Sequence, residues 1–174
     1  KYIKKTYSAV KIIESKYNRG YAGGCNIGAE NATGDFLLFL NNDTILTSDC
    51  VNELLNKINK NENIASVQPK IKNYFNKKLF DYAGASGGYI DYLGFPFARG
   101  RILNTIEQDN GQYDSEEKIF WASGTAFMTQ RKIFNQMEGF DESLFAHMEE
   151  IDYHWKCLLN GYEIYVIPQS LIYH

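Results

Sequence analysis

Phe36-Leu37-Leu38-Phe39-Leu40-Asn41-Asn42-Asp43-Thr44 decides the fold. Its apolar run, bounded by Gly34 and by polar residues, predicts a short strand buried on both faces, as in a parallel sheet. The run stops at Asn41, so oxygen-bearing side chains fall at the strand's carboxyl end, where ligands bind in open α/β sheets. A hard divalent cation holding a diphosphate needs only one or two protein carboxylates, with phosphate and water completing its shell. Asp43 is therefore the first candidate metal ligand, with Asn41 as its hydrogen-bonding neighbour. On these residues alone, an ordinary turn after a strand is the competing reading.

Upstream, Lys1 to Ala9 reads as the tail of a helix and Val10 to Glu14 as a short β-branched strand. Asn18 to Gly28 follows, with Gly20, Gly23 and Gly24 allowing close backbone approach. Cys25 to Thr33 predicts a small-residue helix stopped by Gly34. A glycine-rich turn feeding a helix can cradle a phosphate, but the spacing is neither the dinucleotide nor the P-loop pattern. A merely tight turn stays open.

Downstream, Ser48 and Asp49 cap a helix whose Val51, Leu54, Leu55 and Ile58 form a core stripe. Ile64 to Ile71 is strand-like, with Pro69 marking its end or an edge. Residues 73–118 form an irregular stretch rich in glycine and aromatics, which either anchor the loop or stack on a sugar ring. Ile119 to Thr129 predicts a strand, Arg131 to Met137 a short helix, and Glu163 to Ile167 a closing strand before Ser170 to His174. Between the last two elements, Ile151, Trp155, Leu158 and Leu159 give an apolar helix face ending at Gly161. Glu149, Glu150 and Asp152 crowd that helix's first turn. Acids favour helix N-termini, yet such crowding also raises a carboxylate toward a useful general-base value. His174 on an apolar strand edge is read alone as a structural histidine.

The 174 residues suit one domain with a sizeable core. A net charge of −3 argues against a nucleic-acid binder. No apolar run approaches the ~20 residues that span a bilayer, and there is no signal-peptide pattern. Cys25, Cys50 and Cys157 show no metal-site spacing, which suits reduced thiols in a cytosolic setting. The chain opens inside a helix-like segment and stops after a strand-like one, so we expect a piece of a larger protein.

Taken in order, these segments resemble the family 2 inverting glycosyltransferases of GT-A fold, especially the rhamnosyltransferase-like branch. The resemblance rests on N-R-G-Y-A-G-G-C-N-I-G (18–28), F-L-L-F-L-N-N-D-T (36–44) and W-A-S-G-T-A-F-M-T-Q-R (121–131). G-F-D-E-S-L-F (139–145), M-E-E-I-D (148–152) and G-Y-E-I-Y-V-I-P-Q-S-L-I-Y-H (161–174) complete it. It implies an α/β three-layer sandwich with a mixed, mainly parallel central sheet, incomplete at the amino terminus, as a partial domain over 1–174. It implies displacement with inversion at a sugar carried by a UDP- or dTDP-linked donor, on Mn²⁺ or Mg²⁺.

Under the resemblance, Asn41-Asn42-Asp43 stands at the metal-binding D-x-D-like motif, with Asp43 and His174 as metal ligands. Asn18, Gly20, Asn26, Asn41, Asn42 and Asp43 fall on the nucleotide side. Glu150 is the general base, supported by Glu149, although Glu150 stands where the family commonly has an aspartate. Trp121, Gly124 and Asp152 face the substrate. The acceptor is a saccharide or lipid-linked saccharide, with no nucleic acid as partner. The implied setting is cytoplasmic, leaving room for peripheral attachment to the inner membrane through parts outside this chain. The alternatives are a non-catalytic carbohydrate-binding or scaffold domain on the same fold and, more weakly, a nucleotidyltransferase.

Overall fold

In the computed structural model, which describes residues 2–174, the chain begins with α1 (Tyr2–Thr6), α2 (Gly20–Glu30), β1 (Phe36–Leu40) and β2 (Ile45–Leu46). Then come α3 (Cys50–Ile58), β3 (Ile64–Lys72), β4 (Gly88–Ile90), β5 (Pro96–Ala98), β6 (Arg101–Ile102) and β7 (Thr105–Ile106). β8 (Glu117–Lys118), β9 (Ala126–Gln130), α4 (Arg131–Gln136), α5 (Glu149–Leu159) and β10 (Glu163–Tyr173) complete it. Lys1, the first residue of the expected helix, lies outside the described residues. None of the described helices is long and apolar enough to cross a membrane.

The central sheet has six strands in the order β1-β9-β3-β10-β2, with β8 also on β10. It is mixed, as expected, but not mainly parallel. Among the described residues only β3 and β10 pair in parallel, and every other pairing is antiparallel. β1 correspondingly lacks the double burial expected of it. Leu37 and Phe39 are buried, Phe36 and Leu38 half-buried and Leu40 exposed, because β1 has a described neighbour, β9, on one side only.

Alternation along the strands builds a core on each face. Met128 and Ile167 pack with Leu54 and Ile58 of α3. Their neighbours Phe127 and Val166 face the other way, toward α2, α4 and α5. There Phe127, Phe134, Phe140 and Tyr153 form a cluster with centroids 5.1–6.4 Å apart, a large share of that layer's buried apolar area. The result is the three-layer sandwich.

Several expected elements differ. Val10 to Glu14 pairs with no described strand and leaves Val10 exposed, so β-propensity without a partner strand makes no strand. The small-residue helix starts earlier, at Gly20, because Asn18 Oδ1 accepts the Gly20 N–H at 3.0 Å; it stops at Glu30 rather than at Gly34. The expected strand 119–129 is regular only over Ala126–Gln130. Pro69 lies inside β3 and not at its end or edge. It is accommodated because β9 pairs only with Ser66 and Val67. Beyond that point residues 80–85 flank β3 instead, with Asp81 N–H donating to Ile71 O (3.0 Å) and Ile71 N–H to Ala85 O (2.8 Å).

The buried face of α5 also departs from the apolar spacing. It carries Glu149, Ile151, Tyr153, His154 and Cys157. Trp155, 44% exposed, and Leu159, 76% exposed, point outward. Polar residues take the inner positions because the helix start borders a cleft.

Candidate active site

β9 runs antiparallel to both β1 and β3, and β10 runs parallel to β3, so the carboxyl ends of β1, β3 and β10 share one edge of the sheet. Asn41 follows β1, its N–H donating to Thr125 O at 2.9 Å, and Thr44 Oγ1 closes the turn onto Asn41 O at 2.8 Å. His174 follows β10 and extends the ladder, donating to Lys72 O at 3.0 Å. Its Nε2 lies 3.2 Å from Asp43 Oδ1 and 3.4 Å from Asn41 Nδ2, and its Nδ1 lies 3.3 Å from Asp81 Oδ2.

Neighbouring ligand atoms of a small octahedral cation held at about 2.1 Å sit roughly 3 Å apart. The separation of Asp43 Oδ1 and His174 Nε2 therefore suits two ligands of one ion. Among the described residues no three His, Cys, Asp or Glu side chains converge as a ready-made metal cage.

α5 delivers the acid pair to the same cleft. The chain enters it through Phe145, His147 and Met148 with φ of 58°, 72° and 75°, a left-handed run of bulky residues that is strained. Glu149 and Glu150 each keep one buried carboxylate oxygen with no partner among the described residues. Burial first, and then the charge of Glu149, push the Glu150 carboxyl up to about 7.

The cleft, about 260 Å³, is lined by Asn41, Trp121, Gly124, Glu149, Glu150 and His174, all anticipated, and by others that were not. A larger opening of about 600 Å³ between Asn26, Glu138 and Lys156 holds none of the strand-end residues, so its size does not make it the site. Trp121 is pinned by its Nε1–H to Tyr89 O (2.8 Å) and lies flat on Gly88, where a Cβ would come within 1.9 Å of the indole. Gly124 O accepts the Tyr21 hydroxyl at 2.6 Å.

Other anticipated residues stand outside the cleft. Asn18 Oδ1 accepts the N–H of Gly20, the first residue of α2, and Gly20 leaves room for Phe145 O, which a Cβ there would meet at 2.1 Å. Asn26 ties α2 to Phe140, donating to its carbonyl and accepting its N–H, both at 2.9 Å. Asn42 is exposed on the turn, and Asp152 turns to Lys156 Nζ at 2.7 Å. Sequence reading missed Tyr21, Asp81, Arg101 and His154; Tyr82, one of the loop aromatics weighed as sugar-stacking, lines the cleft. His154 sits one helical turn after Glu150, fully buried and pushed down to about 3 by that burial, so it is neutral. Its Nδ1 accepts the Ala122 N–H at 3.4 Å, tying α5 to the segment that floors the cleft.

Residues 1–137 match the model of Glycosyl transferase family 2. An N-acetylglucosaminyl-diphospho-decaprenol L-rhamnosyltransferase of Mycobacterium tuberculosis is 32% identical over 88 residues, 51% of this chain and 28% of that protein. A low-salt glycan biosynthesis hexosyltransferase of Haloferax volcanii is 24% identical over 153 residues, 85% of this chain and 46% of that protein. The chain thus spans less than half the length of these curated relatives. Among solved structures, GalNAc-T7 with UDP, GalNAc and Mn²⁺ superposes with a TM-score of 0.76 at 17% identity, over 99% of this chain and 33% of that one. A mannosyltransferase of Pyrobaculum calidifontis with GDP-Man and Mn²⁺ gives 0.64 at 13% identity, over 98% and 41%. The sheet, its flanking helices and the strand-end cleft are those of the GT-A fold, and with the family pattern running through its first 137 residues the chain belongs to glycosyl transferase family 2.

Proposed function

We propose that this chain carries the metal-binding and catalytic residues of an inverting glycosyltransferase. It moves a sugar from a UDP- or dTDP-linked donor to a hydroxyl of a saccharide or lipid-linked saccharide, in cell-surface polysaccharide or glycolipid synthesis. The observation that carries the reading is a single cleft lined by both the raised Glu150 carboxyl and His174, whose Nε2 lies 3.2 Å from Asp43 Oδ1 at the cleft's exposed rim. Support for the donor comes from neighbours solved with UDP or GDP-Man and Mn²⁺. Support for a lipid-linked acceptor comes from the name of the mycobacterial relative.

Glu150 takes the proton of the acceptor hydroxyl, whose oxygen forms the new bond to the anomeric carbon. The bond from that carbon to phosphate oxygen breaks, its electron pair leaving with the nucleoside diphosphate, and the configuration inverts. Asp43 and His174 would hold Mn²⁺ or Mg²⁺, which when bound offsets charge on the departing diphosphate. Trp121 gives an apolar wall for a sugar ring, and Tyr21 fixes Gly124 against Glu150.

The test is transfer by the full-length protein from UDP- and dTDP-sugars to prenyl-diphosphate-linked saccharides, followed by mass spectrometry with and without chelator. A base works only when ionised. With its carboxyl at about 7, the metal-supported rate should climb as pH rises through neutrality, ~tenfold per unit on the acid limb, and level off above. Donor binding without transfer to any acceptor would favour a non-catalytic domain; a rate flat across neutrality would remove Glu150 as base.

A further inference from the structure

We propose that Asp81 is a positioning residue for His174, holding the imidazole so that Nε2 offers its lone pair toward Asp43. This inference rests on the reading of Asp43 and His174 as metal ligands. The two carboxylates beside the ring are unlike. Asp81 is 5% exposed and tied down, its Oδ2 accepting the Ala83 N–H at 2.7 Å and its own N–H donating to Ile71 O at 3.0 Å. The Asp43 side chain is 71% exposed on a turn.

A neutral imidazole has one N–H and one lone pair. Asp81 Oδ2, 3.3 Å from Nδ1, can only accept, so the hydrogen belongs on Nδ1; the other tautomer would set a lone pair against a buried carboxylate. Nε2 is then left with its lone pair 3.2 Å from Asp43 Oδ1. A metal ion bound by both atoms would remove the repulsion between them. Asp81 thus sets both the ring's orientation and the atom it presents. Metal-bound histidines are widely held this way by a carboxylate on the far nitrogen, and losing that partner typically costs ~10–100-fold in metal affinity.

The experiment uses the full-length protein. Asp81→Asn keeps the size of the side chain and an oxygen for the Ala83 N–H, but its amide can donate to Nδ1. In metal-free, ¹⁵N-histidine-labelled protein above the imidazole's titration range, His174 should be the Nδ1–H tautomer in wild type and move to Nε2–H in Asp81→Asn. His174→Ala identifies its signals. Titration with Mn²⁺ alone, read by electron paramagnetic resonance of the free ion, should show Kd raised ~10–100-fold in Asp81→Asn. A general loosening of the fold would not exchange one tautomer for the other. An Nε2–H ring in wild type, or an unchanged Mn²⁺ Kd in Asp81→Asn when His174→Ala weakens binding, overturns the proposal. If Asp43→Ala and His174→Ala both leave Mn²⁺ binding intact, the metal-site reading fails instead, and the proposal with it.

Discussion

Glu150→Gln in the full-length protein lowers kcat by ~10²–10⁴-fold while donor binding survives. The substitution preserves volume and hydrogen bonding and removes only the ability to take a proton. Glu150 is singled out from Glu149 because it is the one whose carboxyl burial lifts to about 7. The same shift has a stability consequence of definite sign. A folded carboxyl titrating above its unfolded value of 4.5 contributes stability that is fully present below the unfolded pKa. That contribution is lost as pH rises through about 7. Glu150→Gln should therefore raise Tm above neutrality and leave it nearly unchanged in acid, which separates lost chemistry from lost folding. Should Glu149→Gln prove the more damaging to kcat, the two roles are exchanged.

Asp43→Ala abolishes metal-dependent binding of the donor nucleotide. Asp43 makes no buried contact that its loss would disturb; its side chain is mostly in solvent and reaches only toward His174. Structural damage should accordingly be small, and calorimetry with UDP or dTDP in the presence of Mn²⁺ should fall to the level seen with chelator. Each tenfold in Kd corresponds to about 1.4 kcal/mol, so losing one of two protein ligands readily takes the affinity beyond measurement. Equal affinity in wild type and variant, with and without chelator, would refute the assignment of Asp43.

The two ends of the site differed in how legible they were from sequence. Asp43 could be found because a buried strand and its polar stop are contiguous, and local pattern reports strand ends well. Glu149 and Glu150 were visible as acids at a helix start, although their burial was not, since the helix face they occupy was assigned from apolar spacing. Parallel pairing was inferred from an apolar run, but an edge strand with a core on each face, Leu37 and Phe39 on one and Phe36 and Leu38 on the other, reads the same way as a central one. Asp81 was out of reach. It meets His174 across 93 residues, through a loop that takes over from β9 beside β3, and no spacing rule encodes such a contact. Asn18, Gly20 and Asn26, placed on the nucleotide side by the resemblance, here make packing contacts around α2, and tight packing and ligand approach ask for the same small and amide-bearing residues.

The left-handed entry to α5 bears on how the protein moves. Each bulky residue held at positive φ costs of order 1–3 kcal/mol, so the run of Phe145, His147 and Met148 is kept in place by its surroundings. The holding contacts are mostly backbone hydrogen bonds: Phe145 O accepts the Ala22 N–H at 3.2 Å, Phe145 N–H donates to Glu142 O at 3.1 Å and Met148 O accepts the Asp152 N–H at 2.9 Å, while the side chains of Phe145 and Met148 are about half exposed, 51% and 46%. A segment with stored strain and little burial lies at the low end of the local-opening spectrum. Its backbone amides should exchange with deuterium well ahead of those in β3 and β10 and slow when donor and acceptor fill the cleft. Exchange as slow as in the central strands would show the segment to be rigid. Fast exchange would instead mount Glu150, the proposed base, on a hinge, carried by the backbone freest to adjust to each incoming hydroxyl.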